Sequence, residues 1–104
     1  MVANRTTTEN VVIGAHLDVR NVEDIRSALN GALGCPEGDV VVDMRDVVMI
    51  DAAGLGMLTA AHLRAERAGR HLILRYCSDD IRRVFAVTHL NRVFHIDRSF
   101  GLTA

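Results

Sequence analysis

The stretch that decides the fold follows a short apolar run and begins a helix: Ile50-Asp51-Ala52-Ala53-Gly54-Leu55-Gly56. Asp51 is a good helix N-cap, because its carboxylate can accept hydrogen bonds from the free backbone N–H groups of the first turn. A glycine inside a helix costs about 1 kcal/mol relative to alanine, and this helix begins with two. The glycines therefore indicate either tight packing of the helix on a neighbouring strand or close approach of its free amides to an anion or a partner chain.

Strand and helix patterns alternate on both sides of this stretch. Residues 40–44 are β-branched and nearly all apolar, which is typical of a central parallel strand covered on both faces. The other patterns predict a strand over 11–15, a helix over 22–33 capped by Asn21, a short extended or turn segment over 47–50, a helix over 52–68, a strand over 72–76, a helix from Asp79 or Asp80 and a last strand over 93–96. This βαβαβαβ order predicts an α/β fold with a mainly parallel central sheet and helices packed against it.

The composition indicates one domain over 1–104, with a polar N-terminal segment over 1–10. The apolar runs are too short to cross a bilayer and the N-terminus has no signal-peptide pattern, so we expect no membrane insertion and, by default, a cytoplasmic location. All 12 basic residues are arginine. The absence of lysine excludes a Walker A loop, a protein-kinase core and Schiff-base or pyridoxal enzymes. The sequence has no stripe of basic residues of the kind that binds nucleic acid, so we expect no nucleic-acid partner.

Neither histidine nor cysteine forms a recognisable reactive motif. The five histidines, at 16, 62, 71, 89 and 95, show no His-x-x-x-His or metalloprotease spacing, and Gly-x-Ser-x-Gly is absent. We therefore expect no catalytic residue, no metal site and no cofactor. Cys35 precedes one predicted parallel strand and Cys77 follows another, which places them at opposite ends of the sheet, so free thiols are favoured over a disulfide.

Over nearly its whole length the sequence resembles the STAS domains, a family named for sulphate transporters and anti-sigma factor antagonists. The Asp-x-x-Gly-Leu-Gly segment at 51–56 is the most specific part of the resemblance. The other matching segments are His16-Leu17-Asp18, Val40-Val41-Val42-Asp43, Gly69 with Leu72-Ile73-Leu74, Ile81-Arg82-Arg83-Val84-Phe85 and Leu90-Asn91-Arg92-Val93-Phe94-His95-Ile96.

The resemblance implies a binding module that captures an anti-sigma factor of kinase-type fold and so releases a sigma factor for transcription. In similar proteins the anti-sigma factor phosphorylates a serine immediately before the first glycine of the Asp-x-x-Gly-Leu-Gly segment. Here that position is Ala53, and Ala52 precedes it. Alanine has no hydroxyl, so either capture is constitutive or another event regulates it, unless both alanines were introduced deliberately. Thr59 cannot substitute, because it lies about 240° around the helix from Ala53.

Asp18 and Asp51 each follow a predicted strand, so we expect them to be neighbours at the carboxyl edge of the sheet. Asp51 could instead act only as a cap, and Asp18 could be an ordinary turn carboxylate. Helical periodicity favours core positions for Leu55 and Leu58. It leaves Met57 as the better candidate for an exposed position that faces a partner. The resemblance implies a partner-binding surface formed by Asp18, Asp51, Ala53, Gly54, Leu55 and Met57.

Two other functions remain open at this point. Some similar domains are cytoplasmic subunits that support the ATPase of a membrane transporter. A free helix N-terminus could also make the chain a sensor of an anion or a nucleotide phosphate. The chain is expected to be a monomer or a weak homodimer, the latter through pairing along the edge of the first strand.

Overall fold

The valines at 40–42 form the buried centre of a parallel sheet in the computed structural model, which describes residues 9–34 and 38–97. The strands are β1 (Glu9–Val12), β2 (His16–Leu17), β3 (Val40–Asp43), β4 (Met49–Ile50), β5 (Leu72–Arg75) and β6 (His95–Asp97). The helices are α1 (Val22–Leu33), α2 (Ala52–Arg67) and α3 (Asp79–Val87), followed by a 3₁₀ turn at Leu90–Arg92.

The strands form two separate parallel sheets. The larger has the order β1-β3-β5-β6, and in its register Val41 lies between Asn10 of β1 and Ile73 of β5. The smaller consists of β2 and β4 alone, with Leu17 paired to Ile50. The α/β class, the parallel sheet and the central position of β3 are therefore as predicted from the sequence.

The helices bury one face each. α1 packs against α2 and β1 and buries Val22, Leu29 and Ala32, and α2 packs against β4 and β5. α3 buries Ile81 and Phe85, and the Phe85 ring meets Phe94 edge to face at 5.2 Å. None of the helices within 9–34 and 38–97 is both long and apolar enough to span a membrane.

The predicted elements differ from the observed ones mainly at the two ends of the chain. α1 has the predicted bounds and α2 ends one residue early, but the single strand predicted over 11–15 is wrong. β1 begins at Glu9, inside the stretch expected to be a polar N-terminal segment, and β2 is a separate strand. The last strand begins at His95 instead of 93, because a 3₁₀ turn occupies the residues before it.

Asn21 does not cap α1 through its side chain. Its Oδ1 accepts a hydrogen bond from the backbone N–H of Asp18 at 2.9 Å, and its Nδ2 donates to the carbonyl of His16. The prediction of an Asn21 cap is therefore wrong, because the side chain closes the loop between β2 and α1 instead.

Arg70, although charged, is only 6% exposed and joins segments on either side of 35–37. Its Nε donates to the carbonyl of Gly38 at 2.6 Å and its Nη1 donates to the carbonyl of Leu33 at 2.8 Å. Its Nη2 lies 3.5 Å from the carbonyl of Ala32. A cation at the last carbonyls of α1 also complements the negative end of the helix dipole.

Cys77 is a buried free thiol, and burial raises its pKa to about 11. The thiol is therefore protonated at neutral pH, which makes it a poor nucleophile. Cys35 lies outside the described residues, so its separation from Cys77 stays a prediction.

Candidate functional site

The small β2–β4 sheet brings together the segments that carry the predicted site. Because the two strands are parallel, the loop after β2 and the start of α2 leave the same edge. The backbone N–H of Asp51 donates to the carbonyl of Leu17 at 3.2 Å, immediately before Asp18. Asp18 and Asp51 are therefore neighbours, as the order of the strands predicted.

Asp51 does more than cap the helix. Its Oδ1 accepts a hydrogen bond from Gly54 N–H at 2.9 Å, which is the predicted cap, and its Oδ2 accepts one from Val19 N–H at 3.2 Å. One carboxylate thus ties the first turn of α2 to the loop that follows β2. The interpretation of Asp51 as a cap alone does not account for the second bond.

The Asp18 side chain turns into its own loop. It is 5% exposed, its Oδ1 accepts from the backbone N–H of Arg20 at 3.0 Å, and its Oδ2 accepts from Arg20 Nη2 at 3.1 Å. The side-chain hydrogen bond with Arg20 is the largest cause that lowers the pKa of Asp18 below its usual 3.8. Asp18 therefore shapes the loop as a carboxylate and presents little surface of its own.

This lowered pKa predicts a pH-dependent effect of Asp18→Asn. A carboxyl with a lower pKa in the folded state stabilises the fold at pH values above its unfolded pKa, 3.8 for Asp18, and this contribution is lost as pH falls through the folded value. Urea unfolding from pH 7 to pH 3 should show the variant less stable than the parent near neutrality. The difference should shrink below about pH 4. A difference that is constant over this range would contradict the role assigned to the Arg20 contact.

The two glycines of α2 have different reasons to be glycine. A Cβ at Gly54 would overlap the Leu17 carbonyl oxygen and lie 2.8 Å from Leu17 Cγ, whereas a Cβ at Gly56 would meet nothing within 4 Å. Gly54 is therefore required for tight packing of the helix on β2. Gly56 is exposed and leaves backbone open at the surface.

The remaining predicted site residues divide by exposure. Ala53 and Leu55 are half-buried at the start of α2, and Leu58 is fully buried, as its core assignment requires. The prediction that Met57 faces outward is wrong, since it is only 3% exposed. Met57 lies one helical turn after Gly54 on the same buried stripe, so it packs beneath the surface.

Exposed apolar side chains border the start of α2. Val48 is 71% exposed and Met49 is partly exposed. Only Ile50 separates these two residues from Asp51 along the chain. Val19, which is 69% exposed, is joined to Asp51 by its backbone N–H. None of these three residues was predicted from the sequence to belong to the site. The apolar run over 47–50 beside the Asp51 cap is a signal for Val48 and Met49, whereas Val19 lies outside it.

The sequence profile of the STAS domain family matches residues 3–102. The chain belongs to the STAS domain family. This STAS domain is 27% identical over 96 residues to an anti-sigma-B factor antagonist from Staphylococcus aureus. The match covers 88% of this chain and 89% of that relative.

Solved structures show the same STAS fold. An anti-sigma-factor antagonist (STAS) domain protein from Planctomyces limnophilus superposes with a TM-score of 0.75 at 22% identity, covering 88% of this chain and 86% of that one. A sulfate transporter family protein from Wolinella succinogenes superposes with a TM-score of 0.72 at 20% identity, covering 89% and 80%. At these identities the two structures establish the fold alone.

Proposed function

We propose that this STAS domain is a binding module without catalysis of its own, which captures an anti-sigma factor of kinase-type fold in the cytoplasm. Capture would release a sigma factor for transcription. The family membership and the antagonist from Staphylococcus aureus support this assignment. We further propose that the chain acts as a monomer or a weak homodimer. β1 is an edge strand of the larger sheet among the described residues, which leaves a side that could pair.

The observation that carries the proposal is the surface at the start of α2. Ala52 and Gly56 are exposed, Ala53 and Leu55 are half-buried, and Val19, Val48 and Met49 add apolar area beside them. A site of small side chains rimmed by exposed apolar ones suits a protein partner better than a small ligand, because a partner can approach the backbone closely and bury the apolar rim.

Each predicted binding residue has a role in this proposal. Ala53 and Leu55 contact the partner, while Gly54 and Met57 set the position of the helix from beneath. Asp51 joins the helix to the loop after β2, and Asp18 holds that loop in shape.

The proposed capture is not switched by phosphorylation at the usual position. Neither Ala52 nor Ala53 has a hydroxyl to accept a phosphoryl group. The Thr59 hydroxyl donates to the carbonyl of Leu55 at 2.8 Å along the helix, so its hydrogen bond is made within α2. We propose that the domain binds its partner constitutively unless another event regulates it.

A second candidate is a subunit that supports the ATPase of a membrane transporter. It is favoured by the shared fold of the sulfate transporter family protein, and the two functions differ in the partner captured. An anion or nucleotide sensor is disfavoured. The Asp51 carboxylate already accepts the N–H of Gly54 and places a negative charge where a phosphate would bind.

Ala53→Asp should weaken partner binding about tenfold or more, because it places an unpaired carboxylate in the contact. The fold should survive, since an acidic residue in the first turn of a helix is favourable. The measurement is affinity capture from extract of the source cell with mass spectrometry, followed by titration of the partner recovered.

Two matched variants separate charge from shape and from location. Ala53→Asn has nearly the shape of Ala53→Asp without its charge, and Ala86→Asp adds the same charge at an exposed position on α3. The parent, Ala53→Asn and Ala86→Asp should recover an anti-sigma factor that Ala53→Asp loses. Equal binding by Ala53→Asp would contradict the proposed surface, and recovery of transporter ATPase subunits would favour the second candidate.

A further inference from the structure

Three histidines and one glutamate meet at the amino edge of the larger sheet, opposite the proposed partner surface. His62 and Glu66 lie one turn apart on α2, His71 directly precedes β5, and His95 begins β6. Glu66 Oε2 lies 2.9 Å from His95 Nε2 and 3.4 Å from His71 Nδ1. The sheet register explains the meeting, because His95 pairs with Ile73, two residues after His71.

His62 is the buried member of this group. It is 7% exposed, and its ring centroid lies 6.0 Å from that of Phe94 and 5.5 Å from that of His95. Within the described residues, His62 Nδ1 is the one buried side-chain nitrogen or oxygen that has no hydrogen-bond partner. A buried polar atom without a partner is unfavourable. The His62 ring that carries this atom also places a nitrogen close to ligand atoms of Glu66 and His95.

We propose that His62, Glu66 and His95 form a binding site for a divalent transition-metal ion of the Zn²⁺ type. One ligand atom from each residue lies within 4.8 Å of the other two. Ligands of a tetrahedral zinc ion are about 3.3 Å apart, given metal–ligand distances near 2.0–2.1 Å. Closure around an ion therefore needs only small side-chain movements. Two imidazoles and one carboxylate are a ligand set that zinc uses in proteins.

The surroundings suit an ion. Glu66 Oε2 lies next to both His95 Nε2 and His71 Nδ1, so the carboxylate and the imidazole that would coordinate the ion already face each other. His71 would hydrogen-bond the coordinating carboxylate and orient it, as outer-shell partners do. A cavity of about 470 Å³ is lined by His71 and His95 and lies beside the proposed site, although neither His62 nor Glu66 lines it.

The site was not predicted from the sequence, because no two histidines have the spacing of a known metal-binding pair. The available signal was His62-x-x-x-Glu66, which places two ligands on one face of a helix. The third ligand, His95, and the outer residue His71 come from separate segments, and only the fold brings them near.

Isothermal titration of tag-free protein with Zn²⁺ tests the site, together with the absorption spectrum of the Co²⁺ form. We expect one ion per chain, a higher Tm with Zn²⁺, and a Co²⁺ spectrum of nitrogen and oxygen ligands. His71→Gln should weaken binding about tenfold, the lower end of the usual loss for an outer-shell partner. Glu66→Gln, His95→Gln and His62→Phe should each weaken it by more, because each removes a ligand. His89→Asn, at an exposed histidine elsewhere, should bind like the parent.

Three results would overturn the proposal. They are no binding by the parent, unchanged binding by Glu66→Gln and His95→Gln, or a thiolate charge-transfer band that places the ion on a cysteine. Phenylalanine at position 62 keeps an aromatic ring against Phe94. If that variant still fails to fold, the variants at the partly exposed Glu66 and His95 decide the outcome.

Discussion

Gly54→Ala is expected to destabilise the domain by about 3 kcal/mol, near the upper end of the usual cost of overpacking. The added Cβ would overlap the carbonyl oxygen of Leu17 and lie 2.8 Å from its Cγ. A backbone carbonyl in a paired strand cannot rotate away, so the whole start of α2 must shift. The shift would disturb the hydrogen bonds of Asp51 to Gly54 and to Val19. Thermal unfolding should show a Tm loss of roughly 4–8 °C per kcal/mol for a domain of this size.

Gly56→Ala is the matched control for this prediction. It makes the same chemical change two residues along the same helix, where a Cβ meets nothing within 4 Å. Alanine should stabilise this position by about 0.5–1 kcal/mol, because it is the better helix former. If Gly54→Ala lowers the free energy of unfolding and Gly56→Ala raises it, the packing of α2 requires glycine at position 54. Similar small effects would show that the helix start tolerates displacement.

Arg70→Met is expected to cost about 3 kcal/mol, because hydrogen bonds to charged groups are worth about 1.5–3 kcal/mol each. Arg70 donates to the carbonyls of Gly38 and Leu33 from a buried position. Methionine keeps the length and apolar stem of the side chain but leaves both carbonyls without this donor. The loss should appear as a lower denaturant midpoint with little change in slope.

Arg67→Met is the control for Arg70, since it removes an exposed arginine from the last turn of α2. Its cost should stay within about 0.5 kcal/mol, the usual range for a surface substitution. Arg70→Lys should fall between the two, because one ammonium group cannot match the fork of donors that reaches both carbonyls. Equal stability of Arg70→Met and Arg67→Met would show that the buried arginine does not fasten the two segments.

The sequence predicted those elements whose hydrophobic pattern is unbroken. The bounds of α1 and the buried centre of β3 follow directly from periodicity and β-branched residues. The split between β1 and β2 could not be predicted, because an apolar run does not show where a chain leaves one sheet for another. Val12 is exposed and Ile13 is buried, yet both belong to the same apolar run.

The error at Met57 has a definite physical cause. The buried stripe of α2 includes Gly54, Met57, Leu58, Ala61, His62 and Ala65. A count of large apolar residues omits Gly54, although its missing side chain is what lets the helix touch β2. With Gly54 on the buried face, Met57 follows it inward, and the expected outward position is lost.

The neighbouring positions of Asp18 and Asp51 could be predicted, because parallel strands end at one edge. The second hydrogen bond of Asp51 and the exposure of Val19 depend on the path of a loop, which no periodicity encodes. The gathering of His62, Glu66 and His95 depends on the register of β6 against β5. Long-range contacts of this kind are set by the whole fold.

The β2–β4 pair has a consequence for how the proposed partner surface fluctuates. Two-residue strands carry few ladder bonds of their own, and they are held by the Asp51 carboxylate, the Asp51 amide and the contact of Gly54 with Leu17. Since these interactions share the same few residues, opening one removes the support of the others. The loop after β2 and the first turn of α2 should therefore behave as one cooperative unit, less protected from amide exchange than β3, and substitutions within it should combine non-additively.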